Sequence, residues 1–286
     1  MIKCNFIGAG RLGKNLALAL KTAKLIEIGG LYNQHPESTR QTVEMLGEGQ
    51  PVLSLKDLPA ADAYFLTVPD DVLPSMVNQL IDANIAQIQH GFIIHCSGVL
   101  PSSILSPFKS TGCSVASLHP LKAFKKGELK SDSFYQVDCV LEGDAKPLDW
   151  LTTCLQQLNA RIHFISAEGK TVYHAAAVLS SNYMVTLAEM ATRLMQQTGI
   201  QQNQAYAMIC RLMQSSLHNL TQSECAQDAL TGPISRGDIQ TVKLHLQALM
   251  EPDITNLYRA GAQATLPLAK LLPEQKEEFL KLLESV

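Results

Sequence analysis

The stretch Gly8-Ala9-Gly10-Arg11-Leu12-Gly13 constrains the fold of this chain more than any other. It is a G-x-G-x-x-G that closes an apolar run at 2–7 and opens a segment, 12–24, whose Leu16, Ala17, Leu20 and Ala23 recur at helical spacing. A second apolar run at 26–32 follows, so the order is strand, helix, strand. In that setting the first glycine permits a tight turn, the second lets backbone N–H groups approach a pyrophosphate, and the third lets helix and strand pack closely. The helix N-terminus then faces the phosphates. The pattern implies a bound dinucleotide; the bland alternative is a purely structural turn.

Further strands are expected at 63–68, 92–96, 114–118 and 135–141, the pattern of a parallel sheet covered by helices. From about residue 167 the texture turns helical, with helices expected at 170–197, 202–217, 223–230, 238–249, 252–266 and 273–283. The expectation is a Rossmann-type, doubly wound, mostly parallel α/β domain over 1–166, followed by an all-α domain over 167–286 for substrate binding and dimerisation. The 286 residues suit two domains.

The second strand bears on which dinucleotide binds. A carboxylate about 20 residues beyond the glycines would hold the 2′-hydroxyl of NAD. Here the strand tip carries neutral Asn33, with His35, Ser38 and Arg40 close behind, which favours NADP; Glu37 folding back to supply the carboxylate would favour NAD. Ligands in open α/β sheets sit outside the carboxyl ends of the strands. Three more ends carry unusual residues: Val68-Pro69, counted with the cofactor site, His95-Cys96-Ser97-Gly98, and His119-Pro120. His95, Ser97 and His119 are candidate catalytic residues, against hydrogen-bonded structural histidines. Cys96 on an apolar strand lacks a basic partner that would make it a nucleophile. His95, His119 and His174 lack metal-ligand spacing, and no metal is expected.

Lys170 and His174 stand four apart at the start of the first long helix and so share a face. A polarising and proton-donating pair there would suit reduction of a carbonyl or imine; a solvated lysine and a satisfied histidine is the alternative. Asn182, offset around that helix, and Arg236, in the loop Gly232 to Asp238, are weaker candidates for substrate contact, Arg236 through a bidentate clamp on a carboxylate.

Composition narrows the partners. The net charge of −3, with no basic block longer than Lys125-Lys126, argues against nucleic acid and anionic membrane. Seven cysteines without a C-x-x-C fit neither a disulfide framework nor a zinc module and point to a reducing cytoplasm. Arg11 and Lys14 interrupt the N-terminal apolar stretch, so neither a secretory signal nor a membrane span is expected.

The glycine turn, Val68-Pro69, His95-Cys96-Ser97-Gly98, Leu118-His119-Pro120, Tyr173-His174-Ala175-Ala176, Ser181-Asn182-Tyr183, Gly232-Pro233 and Arg236-Gly237-Asp238 together resemble a group of uncharacterised bacterial proteins. Those proteins join a Rossmann-like NADP-binding domain to a helical C-terminal domain of unknown function. More broadly the chain resembles 6-phosphogluconate dehydrogenase, ketopantoate reductase and pyrroline-5-carboxylate reductase. The resemblance implies an NADP-dependent oxidoreductase acting on a small, anionic carbonyl or imine compound, and a homodimer formed through the helical half. The broader relatives place a lysine and an asparagine one turn apart as the catalytic pair; Lys170 matches the lysine, but His174 stands in place of the asparagine. A non-catalytic dinucleotide-binding protein, sensing redox state or serving assembly, is the competing reading, since fold and cofactor binding do not establish chemistry.

Overall fold

Strand β1 (Ile2–Ile7) lies inside the sheet because four of its six residues, Cys4 through Ile7, are buried, as a strand covered on both faces requires. Even Asn5 is accommodated there: its amide nitrogen donates to the Pro59 carbonyl at 2.6 Å and its oxygen accepts from Gly30 N at 2.7 Å. The computed structural model describes residues 1–83 and 88–284. It divides into two compact units, Met1–Ser181 and Asn182–Val286.

The first unit adds β2 (Ile26–Tyr32), β3 (Gln50–Val52), β4 (Ala63–Leu66), β5 (Phe92–His95), β6 (Ser114–Pro120), β7 (Asp138–Gly143) and β8 (Arg161–Phe164). Their order is β3-β2-β1-β4-β5-β6-β7-β8, parallel throughout except for the antiparallel pair β6 and β7. The chain winds outward from β1 in one direction and from β4 in the other. The switch point between them is where such sheets hold ligands, and the glycine turn sits at the end of β1.

Helices α1 (Arg11–Thr22), α2 (Pro36–Leu46) and α4 (Ala145–Gln157) cover one face; α3 (Leu73–Asp82) and a 3-10 helix (Ser102–Thr111) cover the other. Leu16 and Leu20 of α1 share a core with Leu151 and Leu155 of α4. Leu73, Val77 and Leu80 of α3 pack with Leu105 and Phe108. Burying one such leucine contributes about 2 kcal/mol. Helix α5 (Lys170–Ser180) ends this unit.

The second unit holds α6 (Asn182–Gln197), α7 (Gln202–Gln222), α8 (Ala226–Ala229), α9 (Ile239–Ala248), α10 (Pro252–Thr265) and α11 (Pro273–Glu284). Its own core is small: Val242, Ala262, Leu266, Phe279 and Leu283. Arg193 ties α6 to the start of α10 by pairing with Glu251 and, at 3.2 Å, with Asp253.

Two expectations need correction. The helix read as continuous over 170–197 breaks at Ser181, whose φ and ψ of −116° and −64° interrupt the hydrogen-bond ladder. The strand expected at 135–141 begins only at Asp138, because Tyr135 and Gln136 form a turn, with Gln136 at a φ of 57°.

Candidate functional site

The glycine turn is built for close approach. Gly8 has a φ of +82°, and a Cβ there would lie 2.4 Å from Val68 Cγ1. A Cβ on Gly13 would lie 2.3 Å from Thr67 Oγ1, so α1 touches the chain just past the end of β4. Gly10 differs: its Cβ would meet nothing nearer than 3.8 Å, and protein packing alone does not demand a glycine there. Gly10 at the N-cap offers α1 no capping side chain, and no acid stands in its first turn. Open space before Gly10 and an uncapped helix N-terminus fit a diphosphate group. Among the cofactor-site residues, Arg11 donates to the Phe124 carbonyl at 3.3 Å, Leu12 packs against the core, and Ala9 is buried beneath the turn. Pro69 starts the turn into α3, its carbonyl accepting from Leu73 N at 3.1 Å.

At the tip of β2, Asn33 turns its amide onto the first turns of α2, donating to the Ser38 carbonyl and to Thr42 Oγ1, both at 3.3 Å. Glu37 faces Gln41, with Nε2 to Oε1 at 3.1 Å, and Arg40 at 3.8 Å. The carboxylate is thus engaged along its own helix.

The second cluster forms where β4, β5 and β6 end side by side, as their registers require: Leu66 pairs with His95 and His95 with Ser117. After β5 the chain turns through Ser97, whose Oγ accepts from Val99 N at 3.2 Å and Leu100 N at 3.0 Å. Lys170, at the first position of α5 and only 2% exposed, donates to the Ser97 carbonyl at 2.9 Å and to Ser117 Oγ. Burial pushes its pKa down to about 8, against the opposing pull of Glu142, Cys96 and Asp70. Glu142 is itself held by Ser102, whose N–H and Oγ donate at 2.7 and 2.6 Å.

One turn along α5, Tyr173 and His174 meet His119 of β6. The Tyr173 hydroxyl and His119 Nδ1 are 2.7 Å apart, and the His119 and His174 rings stand edge to face with centroids 5.8 Å apart. Both imidazoles close on Gly98: a Cβ there would lie 2.5 Å from His174 Nδ1 and 2.9 Å from His119 Nε2. Burial, then the neighbouring His174 and Lys170, push the His119 pKa down to about 4. The His174 Nδ1 atom is buried and, among the described residues, has no hydrogen-bond partner. His95 is fully buried below; its Nδ1 accepts from Ser97 N at 3.1 Å, and burial takes its pKa down to about 3. Burial raises the Cys96 thiol to about 12, leaving no thiolate near neutrality.

Of the candidates read from sequence, Lys170, Ser97, His119 and His174 therefore gather around Gly98, with His95 packed beneath. Asn182 and Arg236 belong to the second unit, both exposed, Arg236 next to the Asp238 that caps α9 through Thr241 N at 3.0 Å. Ser117 joined the cluster unannounced, and Tyr173, named in sequence only within the stretch Tyr173-His174-Ala175-Ala176, was not among the candidate site residues. Tyr173 lies three residues beyond Lys170 and hence on a neighbouring stripe of the helix, which is the signal that could have found it. Among the described residues, no three His, Cys, Asp or Glu side chains form a metal-holding group, and no helix is long and apolar enough to cross a membrane.

Residues 1–120 match the Rossmann-like domain model and residues 137–265 match the domain of unknown function DUF2520. The chain joins a Rossmann-like domain to DUF2520. The Gly98 cluster draws on both, since His119 falls within the Rossmann-like match while Lys170, Tyr173 and His174 fall within DUF2520. No curated protein matches the sequence. Solved structures do. A Bacteroides fragilis protein named as an NADP oxidoreductase is similar with a TM-score of 0.76 at 19% identity, covering 93% of this chain and 98% of its own. A Thermotoga maritima protein gives 0.71 at 26% identity over 96% and 98%. Plasmodium falciparum pyrroline carboxylate reductase, solved with NADP bound, gives 0.59 at 14% identity over 94% and 98%. This Rossmann-like plus DUF2520 chain thus shares its fold with proteins carrying oxidoreductase names.

Proposed function

We propose that the chain is an NADP-dependent oxidoreductase that transfers a hydride to or from a small, anionic carbonyl or imine compound, with NAD as the weaker cofactor. The observation that carries this reading is the convergence of His119 and His174 on Gly98, in the same row of strand ends as the glycine turn. From β1 to β6 is three strand spacings, about 14 Å. The names of the B. fragilis and P. falciparum proteins support the same class of chemistry.

A bound nicotinamide supplies or removes the hydride at the substrate carbon; the heteroatom must then gain or lose one proton. In this reading Tyr173 donates to Nδ1 across their 2.7 Å contact, which keeps the proton of neutral His119 on Nε2, the nitrogen beside Gly98. His174, with Nδ1 packed against Gly98 and unpartnered, keeps its own proton on Nε2, because an N–H buried without an acceptor is costly. In this reading the two imidazoles beside the Gly98 turn are the groups that handle the proton. Lys170 acts one layer below, fixing the Ser97 carbonyl and therefore the path of the Ser97-Gly98 turn.

The second unit supports a homodimer. In α6 only Ala188 and Thr192 are buried, while Tyr183, Met184, Val185 and Leu187 are exposed, and α7 buries only Ala205 and Ile209. Amphipathic helices that leave their large apolar side chains exposed supply the material of an interface. An apolar cavity of about 490 Å³ lined by Leu187, Met190, Leu194, Ile254 and Tyr258 offers a partner helix a seat.

Purified protein mixed with NADPH and a panel of keto acids, aldehydes and cyclic imines tests the reading by loss of the reduced-nicotinamide absorbance. Oxidation with at least one member is expected. Tight NADPH binding with no turnover on any member would favour the non-catalytic alternative.

A further inference from the structure

Between β6 and β7 the chain runs through residues 121–137, and part of this connection is pinned along α1. Asn15, one turn beyond Arg11 and 2% exposed, donates to the Glu128 carbonyl at 3.0 Å and to the Arg11 carbonyl at 2.9 Å, while its oxygen accepts from Lys130 N at 3.0 Å. Arg11 itself donates to the Phe124 carbonyl. The connection is also closed on itself: Lys122 donates to the Ser133 carbonyl at 2.6 Å, and Phe124 packs on Phe134 with ring centroids 5.8 Å apart. Residues 125–127 form the tip between two pins that lie about 6 Å apart along the α1 axis, four residues at 1.5 Å each.

That tip is basic. Lys130 pairs with Glu128 and Lys122 lies over the Phe124 ring; the Lys125 carbonyl accepts from Glu128 N and the Glu128 carboxylate also feels Lys125, but the Lys125 and Lys126 side chains are exposed and, among the described residues, make no hydrogen bond or ion pair. They directly follow Phe124, whose carbonyl is bonded by Arg11 at the start of α1, a helix N-terminus that carries its own partial positive charge, with no acid in its first turn. Like charges gathered this way repel unless an anion lies between them. A small cavity under the tip is lined by Asn15, Lys122, Lys125, Lys130 and Ser133 together with the acidic Glu128, and the Ser133 hydroxyl, 4% exposed, is buried without a partner among the described residues.

We propose that residues 121–137 are a strap over the dinucleotide turn and that Lys125 and Lys126 hold the diphosphate of the bound dinucleotide. This rests on the dinucleotide-binding reading above and adds to it a phosphate-contacting element outside the glycine signature. The diphosphate is common to NADPH and NADH, so the strap contributes equally to both. It does not choose between them.

Calorimetric titration of NADPH and NADH into the wild-type protein and the double variant Lys125→Ala, Lys126→Ala tests this. The expected result is about a tenfold weaker affinity for both dinucleotides, an effect that shrinks at high salt. Limited trypsin digestion gives a second reading: saturating NADPH should slow cleavage after Lys125 and Lys126 in the wild type. Unchanged affinity with unprotected cleavage overturns the strap while leaving the cofactor assignment intact. A loss confined to NADPH also overturns it, by assigning the lysines to the 2′-phosphate. Wild-type protein that binds neither dinucleotide removes the cofactor assignment and the strap together.

Discussion

Lys170 donates to the carbonyl oxygen of Ser97 at 2.9 Å, from a helix start where a lysine would ordinarily be solvated. This contact makes the lysine a brace for the Gly98 turn. Lys170→Met should lower turnover roughly 10²-fold with dinucleotide affinity nearly unchanged. The wild-type rate should respond to an ionisation near pH 8, where burial has brought this ammonium, and the variant should lose that limb. A variant with a wild-type rate and pH profile would reduce Lys170 to a packing role.

Tyr173→Phe removes the partner of His119 Nδ1 and lets the ring proton move off Nε2. Losing one partner of a part-buried hydrogen bond costs about 1–3 kcal/mol, so turnover should fall roughly 5- to 150-fold while substrate KM changes little. Nitrogen NMR of the histidine rings should show a mixed His119 tautomer in the variant and a single Nε2–H form in the wild type.

The protein should lose stability in mild acid. Burial lowers His119 to about 4 and His95 to about 3 in the folded state, from about 6.5 when unfolded. Between those values the unfolded chain binds more protons than the folded one, so stability is full above about pH 6.5 and declines as pH falls towards 4 and 3. The loss should be on the order of a few kcal/mol, and His119→Gln should flatten its share. Thermal melts between pH 7 and 4 read this directly; a Tm independent of pH in that window would contradict it.

NADPH should bind more tightly than NADH. Asn33 is neutral and turned onto α2, and Glu37 is engaged by Gln41 and Arg40, so no carboxylate is set to repel a 2′-phosphate. Calorimetry with both dinucleotides measures the preference, and Glu37→Ala should leave NADH affinity unchanged. Tighter NADH binding that the Glu37 variant abolishes would reverse the assignment.

Light scattering at micromolar concentration should report a dimer. Val185→Asp, at a position 68% exposed on α6, should give a folded monomer with an unchanged circular dichroism spectrum. A wild-type monomer would contradict the proposed interface.

The sheet was readable because its central strands are short, apolar and buried on both faces, and the glycine turn fixed where the first βαβ unit begins. What escaped had weaker signals. Strand β3 is three residues containing Pro51, and β8 is an exposed edge of Arg161, Ile162, His163 and Phe164 without an apolar run. Helix α2 buries only Thr39, Thr42 and Leu46, so little apolar periodicity marked it. The residues around Gly98 were each legible as polar groups at strand or helix ends. Their convergence was not, because it depends on α5 standing over the end of β6, and a lysine gives no sign in sequence that it will be buried.

The reversal of β7 has a consequence for how this protein can change. Because β7 runs antiparallel to β6, with Pro120 opposite Cys139, the chain leaves the ligand-bearing rim at Leu121 and re-enters the sheet at that same rim. A parallel β7 would have sent the connection to the opposite edge. Residues 121–137 are therefore a segment whose length and charge can drift without shifting a single strand register, so that relatives could acquire different ligand preferences by exchanging this one stretch on an unaltered sheet.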